Sequence, residues 1–388
     1  MQRSQLDHLV GQIMAHAPDT SDIIFTVGKA IQTEVHGELI DAVTTPDLGP
    51  LKPFQVESVA MCLMGSNMRL FREQVKTGAC DLSYELPGRF RFRVNVLGQR
   101  GSLAVVMRKL SMRVPTVEEL GLPAIFEHMA REQYGLILVT GGTGTGKSTS
   151  LAALINTINE NFPKHIITLE DPVEYVHPHK KGTVNQRELG VDFDSFASGL
   201  RAALRQAPKV ILVGEIRDRE TVQIALEAAE TGHLVLGTLH TSDAGQTLNR
   251  IIGMFDLSEE RLVRSRLCAS LKYVVSQRLL PKKGGGRVAA FEILRNTLRI
   301  KDVITNGETE DKTFYSILEQ GGTFGMVTFD QYLAKLYEQG LIDEEVALLS
   351  GSDKSRLGQM LDRIKAERGE TVTTIKGLEL DTEYGQNW

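Results

Sequence analysis

The stretch Leu136-Ile-Leu-Val-Thr-Gly-Gly-Thr-Gly-Thr-Gly-Lys-Ser-Thr149 places an apolar run, a glycine-rich turn and a Lys-Ser pair in the order that a phosphate cradle requires. Gly141, Gly142, Gly144 and Gly146 let the backbone curl with its N–H groups inward, while Lys147 reaches the β- and γ-phosphates and Ser148 offers a hydroxyl to Mg²⁺. The segment Gly142-Thr143-Gly144-Thr145-Gly146-Lys147-Ser148-Thr149 is therefore expected to bind ATP with Mg²⁺. The helix that starts here aims its positive end at the same phosphates. Three later apolar runs also end in chemistry: His165 to Leu169 is followed by Glu170, Asp171 and Glu174, Val210 to Val213 by Gly214-Glu215, and Leu234 to Leu239 by His240-Thr241. A nucleotide hydrolase needs an acidic group to hold the metal or polarise a water. Glu215 is one methylene longer than the Asp that commonly ends this strand, which suits it to orienting the water and leaves the metal to Ser148, Glu170 and Asp171. The plainer readings are a strand-end acid capping the next helix for Glu215, and an acidic turn around Pro172 for the other three. His233 and His240 flank one run at an odd spacing, which puts them on opposite faces, so only one of them is expected to face the phosphates.

The elements that must carry these groups follow from pattern. Apolar runs alternate with helical patterns at 195–206 and 218–231, which predicts an α/β fold with a mostly parallel sheet sandwiched by helices. Ligands of such sheets bind at the carboxyl ends of the strands, so the groups above should converge near the glycine-rich turn. Ahead of this lies a smaller α+β unit: a helix over 1–19, strands at Ile23 to Val27 and Gln32 to His36, and a helix from Pro53 to Met64. In Arg89-Phe-Arg-Phe-Arg-Val-Asn-Val96 strict alternation sends Phe90, Phe92, Val94 and Val96 to a core and Arg89, Arg91 and Arg93 to the opposite face, and the return strand 103–107 brings Arg108 and Lys109 beside them. Such a face repels itself unless an anion sits opposite; a solvated, salt-screened face is the other reading. Val114 to Pro123, with two prolines and a glycine, is the linker candidate, and a second domain is expected from about Gly121. Beyond 243 the pattern reads as helical packing, including a longer segment from Leu262 to Leu280 and a helical pair over 328–349. A poorly ordered tail is expected after about Arg368.

Composition sets outer limits. At 388 residues the chain should form more than one folded unit. Forty-four basic against forty-nine acidic residues, a net charge of -5, argue against generic nucleic-acid binding. Cys62, Cys80 and Cys268 are odd in number and form no CxxC, which suggests neither disulfides nor a zinc site but a reducing, cytoplasmic setting. No run approaches the roughly 18 apolar residues of a membrane span, and the first residues lack the apolar core of a secretion signal.

Taken together, the motifs resemble the PilT-like retraction ATPases of type IV pili, within the secretion ATPase superfamily. The resemblance covers nearly the whole chain. It rests on Ser21 to Gly28, the paired strands around Arg91 to Asn95 and Val105 to Arg108, and the glycine-rich loop. The acidic box Ile167-Thr-Leu-Glu-Asp-Pro-Val-Glu174, Gln186-Arg-Glu188, the Glu-ended strand Ile211 to Asp218, the histidine box Thr231 to Thr241 and Gly325 to Gln331 complete it. The loop alone is widespread; the acidic box, Glu-ended strand and histidine box together are specific. The resemblance implies a PAS-like N-terminal domain (1–112), a linker (113–120) and a RecA-like ATPase domain with C-terminal helices (121–368). It further implies a homohexamer, peripheral to the membrane, that works with an inner-membrane pilus platform protein. It assigns catalysis to Glu174 and Glu215, nucleotide sensing to His240, and contact with a ring neighbour's phosphates to Arg93 and Arg108.

Two departures qualify this. Gln206-Ala-Pro-Lys209 lacks the two acids that the family often carries before the Glu-ended strand, and Thr297-Leu-Arg-Ile-Lys-Asp-Val-Ile304 stands where the family reads Ala-Ile-Arg-Asn-Leu-Ile-Arg-Glu. Alongside a retraction motor stand an accessory retraction paralogue acting with a second retraction ATPase, a pilus-assembly or secretion motor, and a DNA-translocating ATPase. Assembly relatives usually carry a four-cysteine zinc insertion, which this chain lacks, and no basic or aromatic loop is placed to grip a nucleic acid.

Overall fold

A computed structural model describes residues 1–370, and the expected tail lies, from 371 on, outside the described residues. Among the described residues thirteen strands form two sheets in a mixed α/β fold. The first sheet holds β1 (Thr20–Phe25), β2 (Gln32–Val35), β3 (Glu38–Asp41), β4 (Ala79–Leu86), β5 (Phe90–Gln99) and β6 (Ser102–Leu110) in the order β3-β2-β1-β6-β5-β4. The second holds β7 (Gly135–Thr140), β8 (His165–Glu170), β9 (Thr183–Glu188), β10 (Val210–Val213), β11 (Leu234–Leu239), β12 (Leu271–Pro281) and β13 (Arg287–Arg295) in the order β13-β12-β7-β11-β10-β8-β9. By contacts the chain divides into Met1–Pro115 with Leu169–His179 and Val184–Ser195, and a larger unit made of the rest.

The first unit is an antiparallel sheet packed against the helices Arg3–His16 and Pro53–Met64. Leu6, Val10 and Ile13 of one helix and Val56 and Leu63 of the other share a core with Phe92, Val94, Val105 and Met107, alternate residues of β5 and β6 as the pleat requires. The arginine face expected here is corrected in two ways. Arg89 lies in the turn before β5, because Pro87-Gly88 closes the hairpin there. Arg91 is buried, with Glu85 at 3.8 Å and Glu188 at 4.0 Å, so the anions opposite it are the chain's own carboxylates. Glu188, also buried, accepts hydrogen bonds from Ser83 Oγ at 2.7 Å and from the Val173 N–H at 3.2 Å.

In the second sheet β7 is flanked by β11 and β12, and both pairs are parallel. All six residues of β7 and all six of β11 are buried, as expected for strands covered on both faces. The expected helical segment Leu262 to Leu280 is instead the helix Glu260–Ser270 followed by β12, which pairs with β7 and runs antiparallel to β13. The reason is physical: Leu271, Tyr273, Val274 and Val275 are buried on both faces, so the strand shows no alternation and reads like a continuing apolar helix. Among the described residues no helix is long and apolar enough to cross a membrane.

Removing Glu188 would leave the buried Arg91 guanidinium with only the more exposed Glu85. Glu188→Ala is expected to lower unfolding stability by about 3 kcal/mol, measured by urea denaturation followed by circular dichroism. A variant within about 0.5 kcal/mol of the parent would show that the Arg91 pairing contributes nothing to the fold.

Candidate functional site

The chain leaves β7 at Thr140 and enters the helix Lys147–Asn161 through the glycine-rich loop. Two of its glycines are fixed by close approach. A Cβ on Gly141 (φ +145°) would lie 2.4 Å from the carbonyl oxygen of Gln277, and one on Gly146 (φ +90°) would lie 2.9 Å from the Gln277 side-chain nitrogen. The Lys147 ammonium donates to the carbonyls of Gly141 at 2.8 Å and Gly142 at 2.7 Å, so it spans the mouth of the loop. Thr145 Oγ1 donates to the Gly142 carbonyl at 2.9 Å. Gly142, Thr143, Gly144 and Ser148 are exposed, which leaves the rim of the cradle open to an incoming phosphate. Thr149 lies on the first turn of the helix.

Sequence reasoning missed Gln277. Buried on β12, it donates from Nε2 to the Thr145 carbonyl at 2.7 Å and accepts at Oε1 from Ser150 Oγ at 2.9 Å, tying the loop to the first turn of its helix. Beside it, Ser276 Oγ and Thr140 Oγ1 lie 2.8 Å apart across the β7/β12 pairing. The polar Ser276-Gln277 pair inside an apolar run was the available signal, hidden by the helical reading.

On the other flank, Glu215 follows β10. Thr238 on β11 takes the Ile216 N–H at its carbonyl at 2.9 Å and gives its hydroxyl to the Gly214 carbonyl, while Gly237 leaves room for the Ile216 side chain, which a Cβ there would meet at 2.6 Å. These contacts fix the turn that carries Glu215. Its carboxylate accepts from Arg217 Nη2 at 2.6 Å, and His240 Nε2 lies 3.3 Å away. Burial pushes the Glu215 carboxyl up, but the Arg217 hydrogen bond and charge, with His240 and Lys147, outweigh it and hold the group below the usual glutamate value, so it is ionised at neutral pH. The capping alternative fails, because Asp218 caps the next helix by accepting from the Thr221 N–H at 2.8 Å. Of the two histidines, His240 faces Glu215. His233 Nδ1 lies 3.0 Å from the Ala228 carbonyl, at the end of the helix Arg219–Glu230.

The remaining candidates belong to the first unit. Glu170 accepts from Gln186 Nε2 at 3.1 Å, Asp171 is exposed and Glu174 is half-buried. Gln186 also donates to the Tyr175 carbonyl at 2.7 Å and accepts from the His177 N–H at 2.8 Å, which shapes the acidic turn. Arg93 and Arg108 face each other directly in the β5/β6 register. Arg108 Nε lies 2.8 Å from the buried Asp22, and Arg93 Nε lies 3.9 Å from Asp81. Like charges placed opposite one another destabilise a sheet unless countered. Among the described residues no group of three or more His, Cys, Asp and Glu side chains is arranged to hold a metal ion.

The profile of the family described as "Type II/IV secretion system protein" matches residues 78–297. The type IV pilus retraction ATPase PilT of Pseudomonas aeruginosa is 44% identical over 330 residues, which cover 84% of this chain and 93% of that protein. The type IV pilus ATPase PilU of the same organism is 40% identical over 363 residues, 93% of each chain. Among solved structures, the crystal structure of the pilus retraction motor PilT with bound ADP superposes with a TM-score of 0.79 at 40% identity, covering 92% of this chain and 99% of that one.

Truncating Gln277 would strip a carbonyl of the loop and a hydroxyl of its helix of their shared partner. Gln277→Ala is expected to weaken nucleotide binding by about 1–2 kcal/mol, roughly ten-fold in Kd, measured by titration with a fluorescent ATP analogue. An unchanged Kd in a folded variant would remove Gln277 from the binding apparatus.

Proposed function

The chain belongs to the type II/IV secretion system protein family, and on that premise we propose that it is an ATP-hydrolysing motor that powers retraction of type IV pili. The observation that carries the hydrolytic part is the ionised Glu215 beside His240, one strand from the glycine-rich loop and within the same unit. A carboxylate held ionised can orient a water for in-line attack on the γ-phosphate, while Lys147 and the loop N–H groups take up the charge that develops there. The Mg²⁺ that accompanies ATP would be held by the Ser148 hydroxyl together with phosphate and water oxygens, since Mg²⁺ keeps most of its ligands from substrate and solvent at such loops. Glu170 and Asp171 are the candidates for its outer contacts, and Glu174 is the second catalytic carboxylate.

The working form on this reading is a homohexamer on the cytoplasmic face of the inner membrane, engaging a pilus platform protein. The PAS-like domain comprises 1–112, the linker 113–120 and the RecA-like domain 121–368. The directly opposed Arg93 and Arg108 supply positive charge to a nucleotide bound by the neighbouring subunit; the loose, exposed pairing of Arg93 with Asp81 supports this role, while Arg108 would leave its hydrogen bond to Asp22 to take part. A second reading, an accessory retraction motor that acts with another retraction ATPase, is favoured by the replaced signature at 297–304 and by the near full-length match to PilU.

Lys147→Ala should weaken ATP binding, whereas Glu215→Gln should bind ATP normally and lose hydrolysis, because only the water-orienting step is removed. Glu215→Gln turning over at the parental rate would refute its role. An arginine from a neighbour is worth about 10³–10⁵ in rate, so Arg93→Ala should be nearly inactive alone and partly rescued by mixing with the Glu215→Gln chain. Absence of rescue would argue for arginines acting within one subunit. For the biological role, deletion should leave cells with excess surface pili; bald cells would indicate assembly instead.

A further inference from the structure

Glu292 on β13 is a buried carboxylate that none of the expected motifs includes. It accepts the Ala244 N–H at 2.9 Å, the first residue of the helix Ala244–Ile252, and it also takes a hydrogen bond from the backbone of Phe329, the first residue of the helix Phe329–Glu338. Both helices therefore start on one side chain, where an anion is favoured by two sets of unpaired N–H groups. The helix Ala244–Ile252 begins four residues after His240. Its Thr247 hydroxyl lies 2.6 Å from that of Thr241 and donates to the Asp243 carbonyl at 2.7 Å, so the end of the histidine box is tied to the start of this helix. In register, Glu292 stands opposite Ser276, the partner of Thr140 at the entrance to the phosphate loop.

We propose that Glu292 is a positioning residue for ATP hydrolysis: by gripping the N-termini of the helices Ala244–Ile252 and Phe329–Glu338 it fixes the His240–Thr241 segment against Glu215. The proposal rests on the ATPase reading and extends it to a residue away from the nucleotide. The surroundings make the grip sensitive to pH. Burial is the main cause that pushes the Glu292 carboxyl up, to about 7; Asp243 pushes the same way, while the Ala244 and Phe329 N–H groups and Arg278 pull it down. Arg278 lies with its guanidinium 3.8 Å over the Phe329 ring, and Asp330, buried in the next position, accepts the Ser352 and Asp353 N–H groups at 2.7 and 3.0 Å. The ionised form, with two oxygens able to accept, is the gripping form. Because the folded value lies above that of an unfolded glutamate, its effect on stability has the opposite sign: the favourable contribution of the neutral form is full below about pH 4.5 and is lost as pH rises through about 7.

The test uses the full-length chain with Glu292→Gln, and with Ala244→Pro as a second variant. The latter removes the donor at the first helical position, where proline is tolerated, behind an extended Asp243, and keeps the Glu292 carboxylate. ATP turnover would be measured from about pH 5.5 to about pH 8.5, with Tm at each pH. The expected result is KM for ATP within about two-fold of the parent and kcat lowered about 10–100-fold in both variants. The parental kcat should rise through a midpoint near pH 7, and Glu292→Gln should lack that limb. The Tm difference should move in favour of Glu292→Gln as pH rises. Unchanged kcat in either folded variant, or a parental limb that survives Glu292→Gln, overturns the proposal, as does a kcat loss matched by an equal rise in KM. A parent without turnover overturns the ATPase reading and this inference with it.

Discussion

A backbone that turns its N–H groups inward to hold phosphate turns carbonyls away from the ligand, and each carbonyl buried without a partner costs about 1–3 kcal/mol. In this chain the loop's carbonyls are met by three side chains: Lys147 on Gly141 and Gly142, Thr145 on Gly142, and Gln277 on Thr145. Much of the larger unit is arranged around that requirement. Gln277 can reach only because β12 lies directly beside β7, where Leu271, Tyr273, Val274 and Val275 bury apolar side chains on both faces. Gly141 and Gly146 are then required because Gln277 is so near. The loop is thus shaped as much by a strand more than a hundred residues later as by its own glycines.

On the other side of β7 lie β11 and then β10, followed by His240 and Glu215 respectively. Glu215 is partly withdrawn from water, which alone would favour its neutral form, yet Arg217, His240 and Lys147 keep it ionised. A general electrostatic point follows: a carboxylate surrounded by cations before the nucleotide arrives needs no change of protonation to act, only a change of partner. Lys147 is in the same position, since its ammonium must leave two carbonyls to meet a phosphate. On the proposed mechanism, binding and chemistry exchange existing hydrogen bonds of Lys147 and Glu215 for new ones.

How much of this was legible in the sequence depended on the range of the interaction responsible. The phosphate loop, the helix Pro53–Met64 and the strands ending at Glu215 and His240 were legible because glycine spacing, a proline at the helix start and short apolar runs are local signals. β12 was not, since burial on both faces erases the alternation by which a strand is recognised, and Gln277 was hidden with it. Of the two readings of the arginine strand, an anion opposite holds for Arg91, while Arg89 lies outside the strand and Arg93 is exposed; nothing local to Arg91 announces that Glu188, far along the chain, supplies its counter-charge. Glu292 was overlooked because a single acid at a strand end has no pattern, and its meaning comes from two helix starts that meet it in space.

The replaced signature at 297–304 can be understood on the same terms. The helix Leu298–Asn306 is anchored by buried Ile300, Val303 and Ile304, and Arg264 on the neighbouring helix Glu260–Ser270 donates to the Ile304 carbonyl at 2.6 Å. Arg299 reaches Gln320 at 3.1 Å, while Leu298 stands 84% exposed. The apolar spacing that holds the helix to its unit is kept, so the fold tolerates change at the outward positions at little cost, usually within about 0.5 kcal/mol for surface sites. None of these residues contacts the loop, Glu215 or His240 through a hydrogen bond described above, and those groups are fixed by sheet pairing and by Gln277 and Thr238. Sequence divergence at the outward positions of this helix therefore leaves in place the contacts that fix the loop and the turn carrying Glu215.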